Sequence, residues 1–139
     1  MASIMLKGRE IPLLYTVWEM KLIQEEIAPL ATAIAMVTGR NPEDEKDTSR
    51  FGGAEQLGAV ARLIKILGNA GLEEKGEAPD LTDKWILKNI KPGMIIGYAL
   101  AAYAVINDGN KIEQTAPAEE QGPVDEGLEE EIEKKQPGK

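Results

Sequence analysis

The acidic side chains are the ones in this sequence whose number and spacing could do chemistry. Asp and Glu total 24, and neither cysteine nor histidine occurs anywhere in the 139 residues. Without Cys there is no thiol nucleophile, disulfide or zinc–thiolate site. Without His the commonest general base and metal ligand is missing. Two groups of carboxylates remain: Glu19 with Glu25 and Glu26, and Glu43, Asp44, Glu45 and Asp47. Neighbouring carboxylates can divide acid and base roles between them, and closely spaced acids in a loop can hold a calcium ion. The first group is explained more simply as a solvated helix face. The second lacks the glycine and terminal glutamate of an EF-hand. The expectation is a protein that works without catalysis, metal or cofactor.

Charge narrows the partners. Lys and Arg number 16, so the formal net charge is −8. Binding a phosphate backbone calls for clustered Lys and Arg, and an anionic membrane surface attracts the same residues. Nucleic acid and membrane are both disfavoured. The opening MASIMLKGRE has no apolar signal core, which predicts a cytoplasmic protein.

The opposite extreme is MIIGYALAAYAVI, thirteen residues from Met94 to Ile106 with no charge. A membrane helix needs about 20 apolar residues, so this one falls short of a span. In water such a helix must be covered by its own fold or by another chain. It is either a buried central helix or a helix with one side left for a subunit or client. Gly97 and Ala101 lie one turn apart and Ala104 extends the small surface, which lets another helix approach closely. Tyr98 and Tyr103 carry hydroxyls that suit a boundary better than a deep core. Met94, Ile95, Tyr98, Ala102, Tyr103 and Ile106 are the candidate partner-binding residues.

These residues need elements to position them. Ile4-Met5-Leu6 and Ile11 to Tyr15 predict a β-hairpin around a turn Lys7-Gly8-Arg9-Glu10, with Pro12 on an edge strand. A lone two-stranded hairpin is marginal, so it must pack on helices or on another chain. Thr16-Val17-Trp18-Glu19 reads as a capping box. The apolar stripe Met20, Ile23, Ile27, Leu30, Ile34, Val37 follows at three–four spacing, a core face or a seam for self-association. Pro29 should kink or split this helix, and Gly39 should end it. Arg40–Gly53 is polar and expected as a mobile loop. Leu57, Val60, Ile64 and Leu67 predict a second helix over 54–70, stopped by Gly71. Residues 72–80 are expected as a connector. Asp80 or Thr82 should cap a short helix with Trp85, Ile86 and Ile90, and Pro92 and Gly109 should bound the last helix. The fold class is mainly α (α+β): an N-terminal hairpin and a bundle of about four to five helices over residues 1–115.

From Ala116 the composition changes. APAEEQGPVDEGLEEEIEKKQPGK holds eight acids, three Lys, three Pro and three Gly, a local charge of −5. Such a segment cannot bury enough apolar area to offset its ordering entropy. It is expected to be a disordered or weakly helical acidic tail over 116–139, acting as a solubiliser, as a tether to a further domain, or as a decoy for basic surfaces.

Two stretches carry a family likeness. LKGREIPLLYTVWEMKLIQEEI is a glycine-turn hairpin running through a Pro-Leu strand into a capped helix with paired glutamates. VARLIKILGNAGLEEKGEAPDLTDKWILKNIKPGMIIGYALAAYAVINDG supplies the later helices and connectors. Together they resemble the tail assembly chaperones of long-tailed bacteriophages. The resemblance implies a small, mainly helical homo-oligomer of the host cytoplasm, needed to build the tail but absent from the mature virion. It implies binding of the tape measure protein, a very long helical chain, which is kept soluble while tail tube subunits polymerise around it. It also implies a longer frameshifted form that recruits the tail tube protein. The sequence departs from the family in continuing its first apolar stripe through Ile27-Ala28-Pro29, and in the length of the 40–53 loop.

Other classes stay open at this level. A different phage morphogenesis protein, such as a head–tail connector subunit, would persist in virions. An acidic regulatory or inhibitory module, such as a nucleic-acid mimic, would carry its charge on the folded surface, whereas here most of it lies in the tail.

Overall fold

The computed structural model describes residues 1–112. The acidic tail expected over 116–139, and the domain boundary expected at residue 115, lie outside the described residues. The chain begins with a two-stranded antiparallel hairpin, β1 (Ser3–Leu6) and β2 (Arg9–Pro12), followed by five α-helices. These are α1 (Val17–Glu26), α2 (Leu30–Thr38), α3 (Ala54–Glu74), α4 (Asp83–Lys88) and α5 (Ile95–Gly109), the last preceded by a 3₁₀ turn over Pro92–Met94.

The hairpin turn is tighter than expected. Ile4 pairs with Ile11 and Leu6 with Arg9, so only Lys7 and Gly8 form the turn. Both have positive φ, 52° and 72°, the geometry whose twist matches that of the strands. Arg9 and Glu10, expected in the turn, are strand residues. Ile4, Leu6 and Ile11 point into the core while Met5 and Glu10 face out, the alternation of a strand with one buried face.

The capping box forms at Thr16. Its N–H donates to Glu19 Oε1 at 2.8 Å, and its hydroxyl oxygen accepts the Trp18 N–H at 3.2 Å. Pro29 divides the long apolar stripe into α1 and α2, because it offers no N–H and crowds the preceding turn. Gly39, at φ 73°, ends α2; its N–H and that of Arg40 return to the Met36 and Ala35 carbonyls.

Helix α3 is the centre of the molecule. Ala59, Val60, Ala61, Leu63, Ile64, Leu67 and Leu72 are all buried, on several sides of one helix. Gly71, expected as its stop, lies inside it instead, and α3 runs on to Glu74, taking in part of the expected connector. The reason is packing. A Cβ on Gly71 would lie 2.1 Å from the Pro12 carbonyl oxygen, and one on Gly68 would lie 2.6 Å from Leu81. Glycine at these positions lets the hairpin and the following chain lie directly on the helix backbone. The hairpin is thereby covered by α3, with the Leu14 N–H donating to the Leu67 carbonyl at 3.0 Å.

Two amides bracket the remaining segments. Asn69 accepts the Leu81 N–H at 2.9 Å and donates to the Leu81 carbonyl at 3.3 Å, holding the chain that leads into α4. Buried Gln56 accepts from the Gly52 N–H and donates to the Val37 carbonyl, joining loop, α2 and α3. Thr82 caps α4, accepting the Trp85 N–H at 3.1 Å. Ile86 is buried there; Ile90, expected on the helix, lies just past its end.

Candidate functional site

The carboxylates resolve first, because most of them have a local task. Glu19 completes the α1 cap, Glu25 pairs with Lys21 at 2.7 Å, and Glu26 lies 3.9 Å from Lys65. They point to different partners and do not converge. In the 40–53 loop the Asn41, Asp44 and Asp47 side chains each accept the backbone N–H two residues on, from Glu43, Lys46 and Ser49. These are Asx turns, in which a short acid or amide side chain stands in for a backbone carbonyl. The Ser49 backbone N–H, then the Ser49 and Asn41 side chains, hold the Asp47 carboxyl down at about 2. Asp44 and Asp47 are thus committed to the loop's own backbone. Among the described residues no group of three or more His, Cys, Asp or Glu could hold a metal ion.

The uncharged helix gives a different picture. Along α5, Ala99, Ala102 and Ile106 are buried and Ile95 and Tyr103 are half-buried. The spacing 95, 99, 102, 106 is the inward stripe of a 3.6-residue helix. The opposite side holds Ile96, Gly97, Leu100, Ala101 and Ala104. Met94, Ile96 and Leu100 are 53%, 38% and 51% exposed, and a Cβ on Gly97 would meet nothing within 4 Å. Strand β1 runs beside this face. Tyr98 Oη donates to the Met5 carbonyl at 2.6 Å, pinning helix to strand. Exposed Met5 and Met1 then form the far wall of an apolar groove. Its first part is lined by Met5, Met94, Ile96, Gly97 and Ala101, and its second by Met1, Leu13, Ala101, Ala104 and Val105. The first part holds about 420 Å³ and the second about 470 Å³. At the lower end Tyr15 packs against Gly109 and its hydroxyl donates to Asn110; burial raises its pKa and the Asn110 contact opposes this.

Six residues were expected to contact a partner, and the structure divides them. Met94 is open to solvent and Ile95 is partly covered. Tyr98 is tied to the hairpin, and half-buried Tyr103 lines a shallow hollow with Ile23, Leu30 and Leu63. Ala102 and Ile106 are each 1% exposed, so they belong to the core and not to a contact surface. The error is one of drift. Four residues turn a helix by about 400°, so the row 94, 98, 102, 106 rotates by about 120° and passes from surface to interior. Ile96, Leu100, Met5 and Met1, which are exposed apolar side chains in the structure, were not among the six. The first two follow from the sequence once 95, 99, 102 and 106 are recognised as the inward stripe. The methionines do not, since only the hairpin's position brings them to α5.

The face has no nucleophile, base or charge between Lys91 and Asp108. What it can do is bury apolar surface and admit another backbone closely over Gly97, Ala101 and Ala104. Among the described residues no helix is long and apolar enough to cross a membrane. Compared with known proteins, the chain matches no family model, no curated protein and no solved structure.

Proposed function

We propose that this protein is a tail assembly chaperone of a long-tailed bacteriophage. In this reading it covers apolar stretches of the tape measure protein, keeping that chain soluble until tail tube subunits polymerise around it. One observation carries the reading: the uncharged stretch from Met94 to Ile106 is buried on one side only, leaving Met94, Ile96 and Leu100 in solvent, the first two lining a groove with exposed Met5. Monomers that need no partner rarely leave a contiguous apolar face of this kind. The likeness of the hairpin, capped helix and later helices to that family supports the choice of client. The face suits a helix, because the small residues Gly97, Ala101 and Ala104 allow close approach while the larger ones grip the sides.

The action needs no bond-making. Several copies along one long client give avidity from individually weak contacts. Growing tube protein then displaces them. A longer form made by frameshifting would bring tube subunits to the site, and the work takes place in the host cytoplasm with no copy retained in the virion.

The test is co-expression with the longest helical protein encoded downstream. That protein should be soluble and co-purify with the wild-type chain, and should precipitate with Ile96→Glu/Leu100→Glu. The variant itself should keep its helical circular dichroism and melting temperature, since both side chains already face solvent. A downstream protein that stays soluble alone and never co-purifies defeats the proposal. So does undiminished binding by the double variant.

A further inference from the structure

We propose that the hollow between the start of α3 and the junction of α4 with α5 binds a medium-chain alkyl carboxylate, with its tail among aliphatic side chains and its head on Lys91. This site shares no lining residue with the groove along α5 and β1. Its assignment does not depend on the chaperone reading.

Three observations carry it. The first is the hollow itself. Helix α4 ends at Lys88, Ile90 follows just beyond, and Pro92 then opens the turn into α5. That handover leaves a gap against the first turns of α3. The gap holds about 360 Å³ and is lined by Leu57, Leu87, Ile90, Pro92 and Ile95. Leu57, Leu87, Ile90 and Ile95 are each only partly buried, so the fold leaves carbon uncovered there. Sites for small molecules start at about 300 Å³ and are mostly apolar with a few polar groups, and this gap has that character.

The second is charge. Lys91 is the charged residue of the lining; it is exposed, and among the described residues it makes no ion pair. Arg50, Lys88 and Glu55 stand within two residues of the lining positions. With Lys91, cations outnumber acids there by three to one in a chain whose net charge is −8. From Lys84 to Asn107 there is no Asp or Glu at all. The cleft between α1 and α3 has the opposite balance, with Glu19, Glu26 and Glu73 against Lys65. An exposed ammonium beside an aliphatic hollow fits an anion with an apolar body.

The third is what the backbone offers. The N–H groups of Gly52, Leu57, Ile90 and Ile95 are already donated to Gln56 Oε1 and to the carbonyls of Gly53, Leu87 and Pro92. Pro92 has no N–H to give. A polypeptide laid in this hollow would find those donors taken, and amide groups buried without partners cost free energy. A chain of methylenes has no such groups. Its carboxylate needs one cation, and Lys91 is that cation.

The test is calorimetric titration of the full-length protein with decanoate, octanoate and 1-octanol, the carboxylates kept below the concentrations at which they form micelles. Decanoate should bind at one saturable site. Octanoate should bind about fifteenfold more weakly, at about fourfold for each methylene removed from the hollow. Lys91→Met keeps an apolar stem and loses the charge. It should weaken octanoate about fivefold at low salt and leave 1-octanol unchanged. The side chain is exposed, so the variant should melt like the wild type. No saturable binding of decanoate, or an octanoate affinity indifferent to Lys91→Met, overturns the proposal. Loss of decanoate binding in Ile96→Glu/Leu100→Glu places the tail in the α5 groove and overturns it as well. So does tighter binding of the tripeptide Ala-Leu-Leu, which assigns the hollow to the carboxyl terminus of a polypeptide. None of these titrations contains the client, so they leave the chaperone reading to its own test.

Discussion

Helices α3 and α5 invert what their compositions predict. The second carries no charge from Ile95 to Ile106, yet it lies at the edge of the molecule with one face bare. The first carries Glu55, Arg62, Lys65, Glu73 and Glu74, yet it is the central helix on which hairpin, α1, α2, α4 and α5 all pack. Their glycines show the same inversion. Gly68 and Gly71 in α3 are close-approach points already filled, by Ile11 and Leu81 and by the Pro12 backbone. Gly97 in α5 is a close-approach point with nothing in it. A helix placed at the centre can keep charges wherever a long side chain reaches water or an acid, as Lys65 does toward Glu26 and Asp83. A helix at the edge has no fold-level reason to be apolar all round. Its outer face is the part of the sequence that folding leaves unexplained.

Substitutions at these points break the comparison or sharpen it. Gly71→Ala should have the largest effect, because its methyl would meet backbone and not a movable side chain. A loss of about 3 kcal/mol is expected, with the melting temperature falling by about 10 °C. Gly68→Ala meets only side-chain ends and should cost less. If Gly71→Ala melts like the wild type, the hairpin does not sit on α3 as described. Tyr98→Phe removes the bond to the Met5 carbonyl and should cost about 1 kcal/mol in chemical denaturation. Because that bond sets the groove's second wall, client binding should weaken with it. Gly97→Ala should have the smallest effect and the opposite sign. A gain of about 0.5 kcal/mol is expected from better helix propensity at an open position. Destabilisation there would mean that the space over Gly97 is already occupied within the fold.

The retained polar network points the same way. Asn69, Gln56 and the Thr16 box each satisfy backbone groups that would otherwise be stranded where segments meet α1, α2 and α3. On the outer side of α5 the hydroxyl of Tyr98 ties the helix to the neighbouring strand, and the exposed side chains near it, Met94, Ile96 and Leu100, are apolar. The interior is completed with hydrogen bonds where elements join, and the face left open is the kind that another apolar surface completes.

Much of the architecture was written in local chemistry. Thr16 with Glu19, Pro29, Gly39, Thr82 and Pro92 act within a turn of themselves, so hairpin, helix starts and the α1–α2 break could be read without knowing what packs on what. Gly71 could not. A glycine after an apolar helical run signals a stop unless another segment crosses there, and the Pro12 carbonyl that crosses is far away in sequence. Two residues of the candidate surface, Ala102 and Ile106, proved to be core residues for the same reason. Residues 94 to 106 are uniformly apolar, so periodicity had no polar side to mark as outward, and Ala102 and Ile106 were placed on the wrong one. Composition alone determined that this helix must be covered. Only the packing of α5 against α2 and α3 decided which half was already covered and which half was left, because burial belongs to pairs of surfaces and not to single residues.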